Sequence, residues 1–388
     1  MHSSAAGTLS RFALIAAAIF GCGESPGPVD PGGGGAPIVD VPFLVDSIRV
    51  AFNLPALVGA IVTVDDVTAA AGVSGTRRAT GGAEATLQDL WHIGSNFKAF
   101  TGMLAAIAVD RGDISWDETI AQAFPELAGS IRSEYADITL RELLSHQSGV
   151  PRDPGAGTII GTTRTQQRNA VAAWAVTQAP ASTRGAYSYT NTGYMIAAAM
   201  VERALDTTFE DAMAEHVFAP LGIDDAGFGP QAPQGSTTQP VAHALINNQW
   251  VARENFDNPP VYASAGGAHM SIESWSRFLQ EVLRLEAGTP TIVSAAAGAE
   301  TTASIATVSA TGSYGMGWVI TSRTWANGRT LTHDGTNTAN HSVTWMAPTR
   351  GFAVLAVTNS YDAGASARTG NALDALAARL IAFYNTGG

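Results

Sequence analysis

The chain has 388 residues, enough for one large domain or two closely joined ones, and 46% of them are hydrophobic and available for a core. Its net charge is −12 with no basic block, which excludes nucleic acid and anionic lipid head groups as electrostatic partners. Charged residues are only 14%, against about 25% in ordinary soluble proteins, so the surface leans on Ser, Thr, Asn, Gln and Gly. Residues 1–21 read as an export signal: Arg11 supplies positive charge, and the apolar run 12–20 is too short for a membrane span of about 20 residues. Residues 22–37 contain Pro and a run of Gly, cannot bury apolar surface, and read as a tether. A folded part is expected over 38–388.

Within it, residues 38–53 carry apolar positions at helical spacing (Val41, Leu44, Val45, Ile48, Phe52). Residues 57–71, interrupted by Asp65 and Asp66, read as two strands with a tight turn. Residues 87–93 lead to Gly94 and Ser95, and 96–110 form a strong helix, so Ser95 sits near a helix N-terminus. The middle, about 111–260, is mostly helical pattern (139–144, 165–176, 193–205, 209–221) broken by Pro, Gly and Thr loops. Strand signals return at 315–321, 330–333, 341–347 and 352–358, and a helix over 367–383 closes the chain. These elements predict an α/β part built from both chain ends, about 38–110 and 261–388, with a helical part of about 111–260 between them.

The chemistry-bearing residues fall into three groups. Lysine and arginine total 21, and Lys98 is the one lysine. Arginine serves every generic surface role of lysine but stays protonated and cannot act as a base. A lone lysine therefore draws attention, although composition bias with one stray residue is the plainer explanation. Ser95 and Lys98 are three apart, on one helical face, where a desolvated amine can take the serine proton. Tyr189 and Asn191 lie two apart on a turn and can both face a cleft, one relaying a proton and one holding a carbonyl. His333 and Gly335 end a strand, where the His can steer a carboxylate or assist proton transfer and the Gly admits a ligand backbone. Each group taken alone is more often structural. The single cysteine, Cys22, permits no intrachain disulfide or Cys-based metal site, and the eight His show no HExxH-like pairing, so neither metal nor cofactor is expected.

Together, Ser95-Asn96-Phe97-Lys98, Tyr189-Thr190-Asn191 and His333-Asp334-Gly335 match in order and spacing the SxxK, YxN and [KH]xG motifs, so the chain resembles the active-serine penicillin-recognising family. That family includes class C β-lactamases, D-alanyl-D-alanine carboxypeptidases and related esterases. Further stretches are similar to it: 92–94 before the serine, 143–149, Ala265-Gly266-Gly267, and 314–318. The resemblance implies an antiparallel sheet flanked by helices with an inserted all-helical domain. It implies that Ser95 is acylated, that Lys98 and Tyr189 share the acid–base work, and that Asn191 binds the substrate amide. The N–H groups of Ser95 and Thr336 would form the oxyanion hole. His146 and the Gly266-Gly267 loop are read as structural.

Class C enzymes usually carry KTG at the third motif, so HDG favours a DD-peptidase or esterase-like hydrolase acting on D-amino-acid amides or small esters. Asp334 is expected to weaken binding of substrates with a free carboxylate, while raising the pKa of His333. The alternatives are a class C-like β-lactamase and a non-catalytic cell-wall-binding or penicillin-sensing module. Small molecules or peptidoglycan peptides are the expected partners. The segment 19–22 resembles the lipobox of bacterial lipoproteins except at Phe20, which implies lipidation of Cys22 and a periplasmic or cell-surface location; cleavage nearby without lipidation is the rival.

Overall fold

The computed structural model describes residues 40–363 and 367–387. The export segment, the tether and Cys22 lie outside the described residues. An eight-stranded sheet carries the fold. Its strands run, edge to edge, Ala70–Gly75, Ala56–Thr63, Phe352–Thr358, His341–Ala347, Gly328–Thr336, Val319–Arg323, Ser313–Tyr314 and Ala306–Thr307. Every neighbouring pair is antiparallel. The strands come from the two ends of the described chain, and the central ones are buried on both faces.

Side-chain alternation divides that burial between two cores. Val58, Ala60 and Val62 join the larger core, while Leu57 and Ile61, on the other side of the same strand, join the smaller one. The smaller core is closed by helices Val41–Ala51 and Arg368–Asn385, which contribute Leu44, Val45, Leu376 and Leu380. The first of these helices starts where Asp40 accepts the Phe43 N–H at 2.8 Å. The larger core is filled by helix Ile272–Glu286 and by helix Lys98–Asp110. Residues 98–108 of the latter are all buried, which suits a helix that is apolar nearly all round. No helix among the described residues is long and apolar enough to cross a membrane.

Two expected boundaries shift for steric reasons. The helix expected over 96–110 enters through a tight turn, Gly94–Phe97, before its regular part begins at Lys98. The strand expected at 315–321 lies at Val319–Arg323, because Tyr314–Trp318 is spent on crossing the nucleophile helix. There a Cβ on Gly102 would stand 2.4 Å from the Met316 carbonyl oxygen, so backbone meets backbone.

Helices Leu140–Leu144, Arg164–Ala175 and Asn191–Leu205 form the main helical layer beside the sheet. Capping boxes at Thr139 with Glu142 and at Thr163 with Gln166 start the first two. Residues 222–260 add short strands, including the hairpin Ala242–Ile246 with Gln249–Arg253. Arg168, fully buried, donates to both Glu202 (2.6 and 3.1 Å) and Glu210 (2.8 and 3.0 Å), locking three helical segments together. Replacing it leaves two carboxylates facing each other without their cation. Arg168→Met is therefore expected to lower stability to urea by about 3 kcal/mol, measured as a shifted unfolding midpoint at unchanged slope.

Candidate active site

Ser95 sits on the turn Gly94–Phe97, at the sheet end of the buried helix. Gly94 takes φ +53°, and a Cβ there would lie 2.4 Å from the Thr336 nitrogen. The absence of a side chain lets strand Gly328–Thr336 bring its last backbone N–H against the nucleophile turn. Ser95, Thr336, Asn191, Ala265 and Gly266 then line one cavity with Asn258 and Tyr262.

Lys98 is wholly buried, one turn beyond Ser95. Its Nζ lies 3.2 Å from Ser95 Oγ and 2.8 Å from Asn191 Oδ1, and it also donates to the Ala265 carbonyl. Burial lowers its pKa from 10.5 to about 7, with Asp153 pulling it up and Arg152 pulling it down. In the neutral amine, two N–H groups satisfy the Asn191 and Ala265 oxygens, which only accept. The lone pair is then left for the Ser95 hydroxyl. Tyr189 Oη donates to the same Ser95 Oγ at 2.9 Å. Ser95, Lys98, Tyr189 and Asn191 thus converge, although 93 residues separate Lys98 from Asn191.

His146 holds the tyrosine in place. Its Nδ1 accepts the Thr190 N–H at 3.2 Å and its carbonyl accepts the Ser188 N–H at 2.8 Å, so both flanks of Tyr189 are fixed. The imidazole is fully buried, 4.4 Å from the Tyr189 ring, and burial holds its pKa well below the ordinary value. It stays neutral and positions rather than reacts.

The third motif is placed otherwise than expected. His333 is buried, its Nε2 lies 3.0 Å from Tyr314 Oη and its Nδ1 2.7 Å from the Asp334 carbonyl oxygen. That carbonyl can only accept, so Nδ1 carries the proton and Nε2 accepts from the tyrosine. Burial takes its pKa down to about 4, outweighing the pull of Asp334 in the opposite direction. His333 is therefore uncharged at neutral pH and cannot act as the cation that steers a carboxylate. Asp334 does pull the His333 pKa upward, as its place in the sequence suggests, but does not prevail over burial. Successive strand residues face opposite sides, so Asp334 points across the sheet, 61% exposed, with Oδ1 3.4 Å from His341 Nε2. Gly335 leaves room for the chain itself: a Cβ there would stand 2.1 Å from the Ile93 carbonyl oxygen.

Several contributors carry no motif that announces them. The Ala265 carbonyl acts through the backbone, and only the Ala265-Gly266-Gly267 stretch pointed to its region. Asp153 Oδ1 accepts from Asn191 Nδ2 at 2.7 Å and from Tyr262 Oη at 3.3 Å. His92 lies 3.0 Å from the buried Asp257, which also accepts from Asn337 Nδ2 at 3.1 Å. Since His92 Nδ1 accepts the Gly94 N–H at 3.2 Å, this chain ties the nucleophile turn to the hairpin that follows Thr336. No group of three or more His, Cys, Asp or Glu among the described residues is placed to hold a metal ion.

A family model described as Beta-lactamase matches residues 54–379. The chain belongs to the β-lactamase family. This is a family of serine hydrolases, and the converging groups all lie within the matched span. The unguisins hydrolase ungD' of Aspergillus campestris is 24% identical over 289 residues, 71% of this chain and 53% of that protein. Penicillin-binding protein 4 of Amycolatopsis lactamdurans is 28% identical over 178 residues, 46% of each chain. A β-lactamase of Escherichia coli is 26% identical over 209 residues, 51% of this chain and 49% of that one. The chain thus spans about half the length of these curated relatives. The octameric penicillin-binding protein homologue from Pyrococcus abyssi shares the fold at a TM-score of 0.72 and 18% identity, over 89% of this chain and 77% of that one.

The position of Asp334 makes a test against this family background. Asp334→Thr, a change at an exposed site across the sheet, is expected to alter kcat/KM by less than about twofold for neutral esters and for carboxylate-bearing substrates alike. Steady-state kinetics on one substrate of each kind checks it; a selective gain for the anionic one would place the carboxylate's field inside the cleft.

Proposed function

We propose that this β-lactamase-family protein is a DD-peptidase or esterase-like hydrolase that cleaves D-amino-acid amides or small esters through an acyl-enzyme. The observation that carries this reading is the buried Lys98 amine within reach of Ser95 Oγ, with its other polar contacts made to oxygens. Ser95 Oγ attacks the scissile carbonyl while neutral Lys98 accepts its proton. The backbone N–H groups of Ser95 and Thr336 receive the developing oxyanion. Tyr189, hydrogen-bonded to Ser95 Oγ, relays the proton to the leaving amine or alcohol, and the C–N or C–O bond breaks. Water then attacks the ester on Ser95, gives up its proton to the same base, and releases the acid and the free serine. Asn191, whose oxygen is committed to Lys98, donates from its amide nitrogen to the bound acyl group.

The third motif supports neutral esters and amides over substrates that carry a free carboxylate, penicillins and peptides with a free C-terminus alike. Penicillins and cephalosporins carry a free carboxylate, and the position where class C enzymes place a lysine here holds a buried, uncharged His333. The Aspergillus relative is named as a hydrolase of unguisins, which adds support for a hydrolase reading.

The test is a panel: covalent labelling with a fluorescent penicillin and a fluorophosphonate, then turnover of nitrocefin, p-nitrophenyl esters and D-alanyl peptides. Label on Ser95 and faster turnover of an ester or peptide are expected. Absence of label overturns the hydrolase reading, and nitrocefin as the fastest substrate turns it toward a β-lactamase. Lys98→Arg, which keeps charge and loses basicity, is expected to cut acylation by at least about a hundredfold in a folded protein. In the wild type the ammonium form cannot accept the Ser95 proton, so kcat/KM should rise with pH through about 7 as Lys98 is deprotonated. A profile flat from about pH 5 to about pH 9 would remove Lys98 as the base.

A further inference from the structure

Asp257 has no part in the acyl-transfer steps just described, yet its side chain, 4% exposed, is packed between the segments that carry the two oxyanion donors. Its Oδ1 meets three groups. The Asn258 N–H donates to it at 2.7 Å, Asn337 Nδ2 donates at 3.1 Å, and His92 Nε2 lies 3.0 Å away. Each group belongs to a different wall of the site. Asn258 lines the cavity itself. Asn337 directly follows Thr336, and its amide can turn only one way: Oδ1 accepts the Ala339 and Asn340 N–H groups at 3.2 and 2.9 Å, which leaves Nδ2 for Asp257. His92 reaches the nucleophile turn. Its Nδ1 accepts the Gly94 N–H at 3.2 Å, so Nε2 carries the proton and donates it to Asp257. The other tautomer would set one N–H against another at Gly94. Burial pushes the Asp257 carboxyl up, but His92, Asn337 and the Asn258 N–H more than offset this, so the group titrates below the ordinary carboxylate value and is ionised at neutral pH.

The hairpin that follows Thr336 needs such a tie. Thr338 holds φ +71°, in the left-handed region that β-branched residues rarely adopt, and strain of that kind persists only where surrounding contacts over-determine it. Resting on the acyl-enzyme reading above, we propose that Asp257 is a positioning residue for the oxyanion hole: through His92 and Asn337 it sets the separation of the Ser95 and Thr336 N–H groups at the value that fits a carbonyl oxygen in the transition state. Donors of this kind are effective only when aimed at the place where the oxyanion develops. Asp257 touches no reacting atom and acts through the two segments it joins. Its loss lets the donors drift apart, while Ser95, Lys98 and Tyr189 keep the contacts they make with one another. The charges that set the pKa of Lys98 are Asp153 and Arg152, so the base does not depend on Asp257.

The experiment uses the full chain and compares kcat/KM for p-nitrophenyl butyrate with that for its thionoester, in which sulfur replaces the carbonyl oxygen. The C=S bond is longer and its sulfur is a weaker acceptor, so the pair reads the fit of the oxyanion hole. A change in the folded fraction, in Ser95 or in Lys98 acts on both esters and cancels in their ratio. The wild type is expected to favour the oxygen ester by at least about a hundredfold, the loss that follows removal of one oxyanion donor. Asp257→Ala should lower that ratio by at least about tenfold. His92→Phe keeps a ring in the same space and removes both of its hydrogen bonds; it should lower the ratio in the same way, and it carries the test if the Ala variant does not fold. A wild-type ratio near one overturns the inference. So does a ratio unchanged in the folded variant, even where both rates fall together, since an equal fall is the mark of a merely structural role. In those cases continued cleavage of p-nitrophenyl butyrate by the wild type leaves the acyl-enzyme reading standing. Failure of the wild type to cleave either ester overturns both.

Discussion

A primary amine held out of water organises this molecule. Lys98 is fully buried, and the fall of its pKa from 10.5 to about 7 corresponds to about 5 kcal/mol against the ammonium form. Asp153 works in the opposite direction and recovers only part of that, because it reaches Lys98 through Asn191 from a partly hydrated position. An amine kept that far from water must still satisfy its N–H groups. The acceptors come from three distant stretches: Ser95 one turn before it, Asn191 at the start of helix Asn191–Leu205, and the Ala265 carbonyl. The sheet-based and helical layers must therefore meet at this one nitrogen.

The meeting requires close backbone approach, and the structure provides it with glycine and buried polar links. Gly94 and Gly335 allow the nucleophile turn and the strand ending at Thr336 to touch without intervening side chains. Ser342 Oγ then donates to the Ile93 carbonyl at 2.7 Å and accepts from Asn96 Nδ2 at 2.8 Å, fastening the turn to the next strand. On the helical side, His146 fixes the backbone around Tyr189. The Arg168 cluster joins the layer from which Asn191 projects. Positions far from the nucleophile thus set its geometry, as preorganised electrostatic catalysis requires.

Burial also decides the charge pattern of the cleft. A histidine beside an aspartate in sequence reads as a raised pKa, yet His333 is neutral above about pH 4 because desolvation is the larger effect and the carboxylate lies on the other side of the sheet. The cleft consequently has Lys98, neutral when it acts as base, on its floor. Arg152 and Asp153 sit at its rim, 3.5 Å apart.

Much was legible in the residues alone. Period-2 and period-3.6 patterns located the long strands and helices, since the burial of one face leaves a mark on every second or every third to fourth residue. The Ser95–Lys98 pairing was legible because helix geometry alone puts positions three apart on one face. The unique lysine marked the amine, because no other side chain in the chain's basic set can lose its proton. Tertiary structure decided what depends on contacts distant in sequence. Strand alternation says that His333 and Asp334 point to opposite sides, but only the packed sheet shows which side is the cleft. The pKa of Lys98 and His333 follows from exclusion of water, a property of the assembled core. Asp153 meets Asn191 across 38 residues, and His92 meets Asp257 across a longer interval, with no local pattern to announce either contact. Local periodicity encodes which face of an element is buried; which atoms share that buried space is set only when the layers pack.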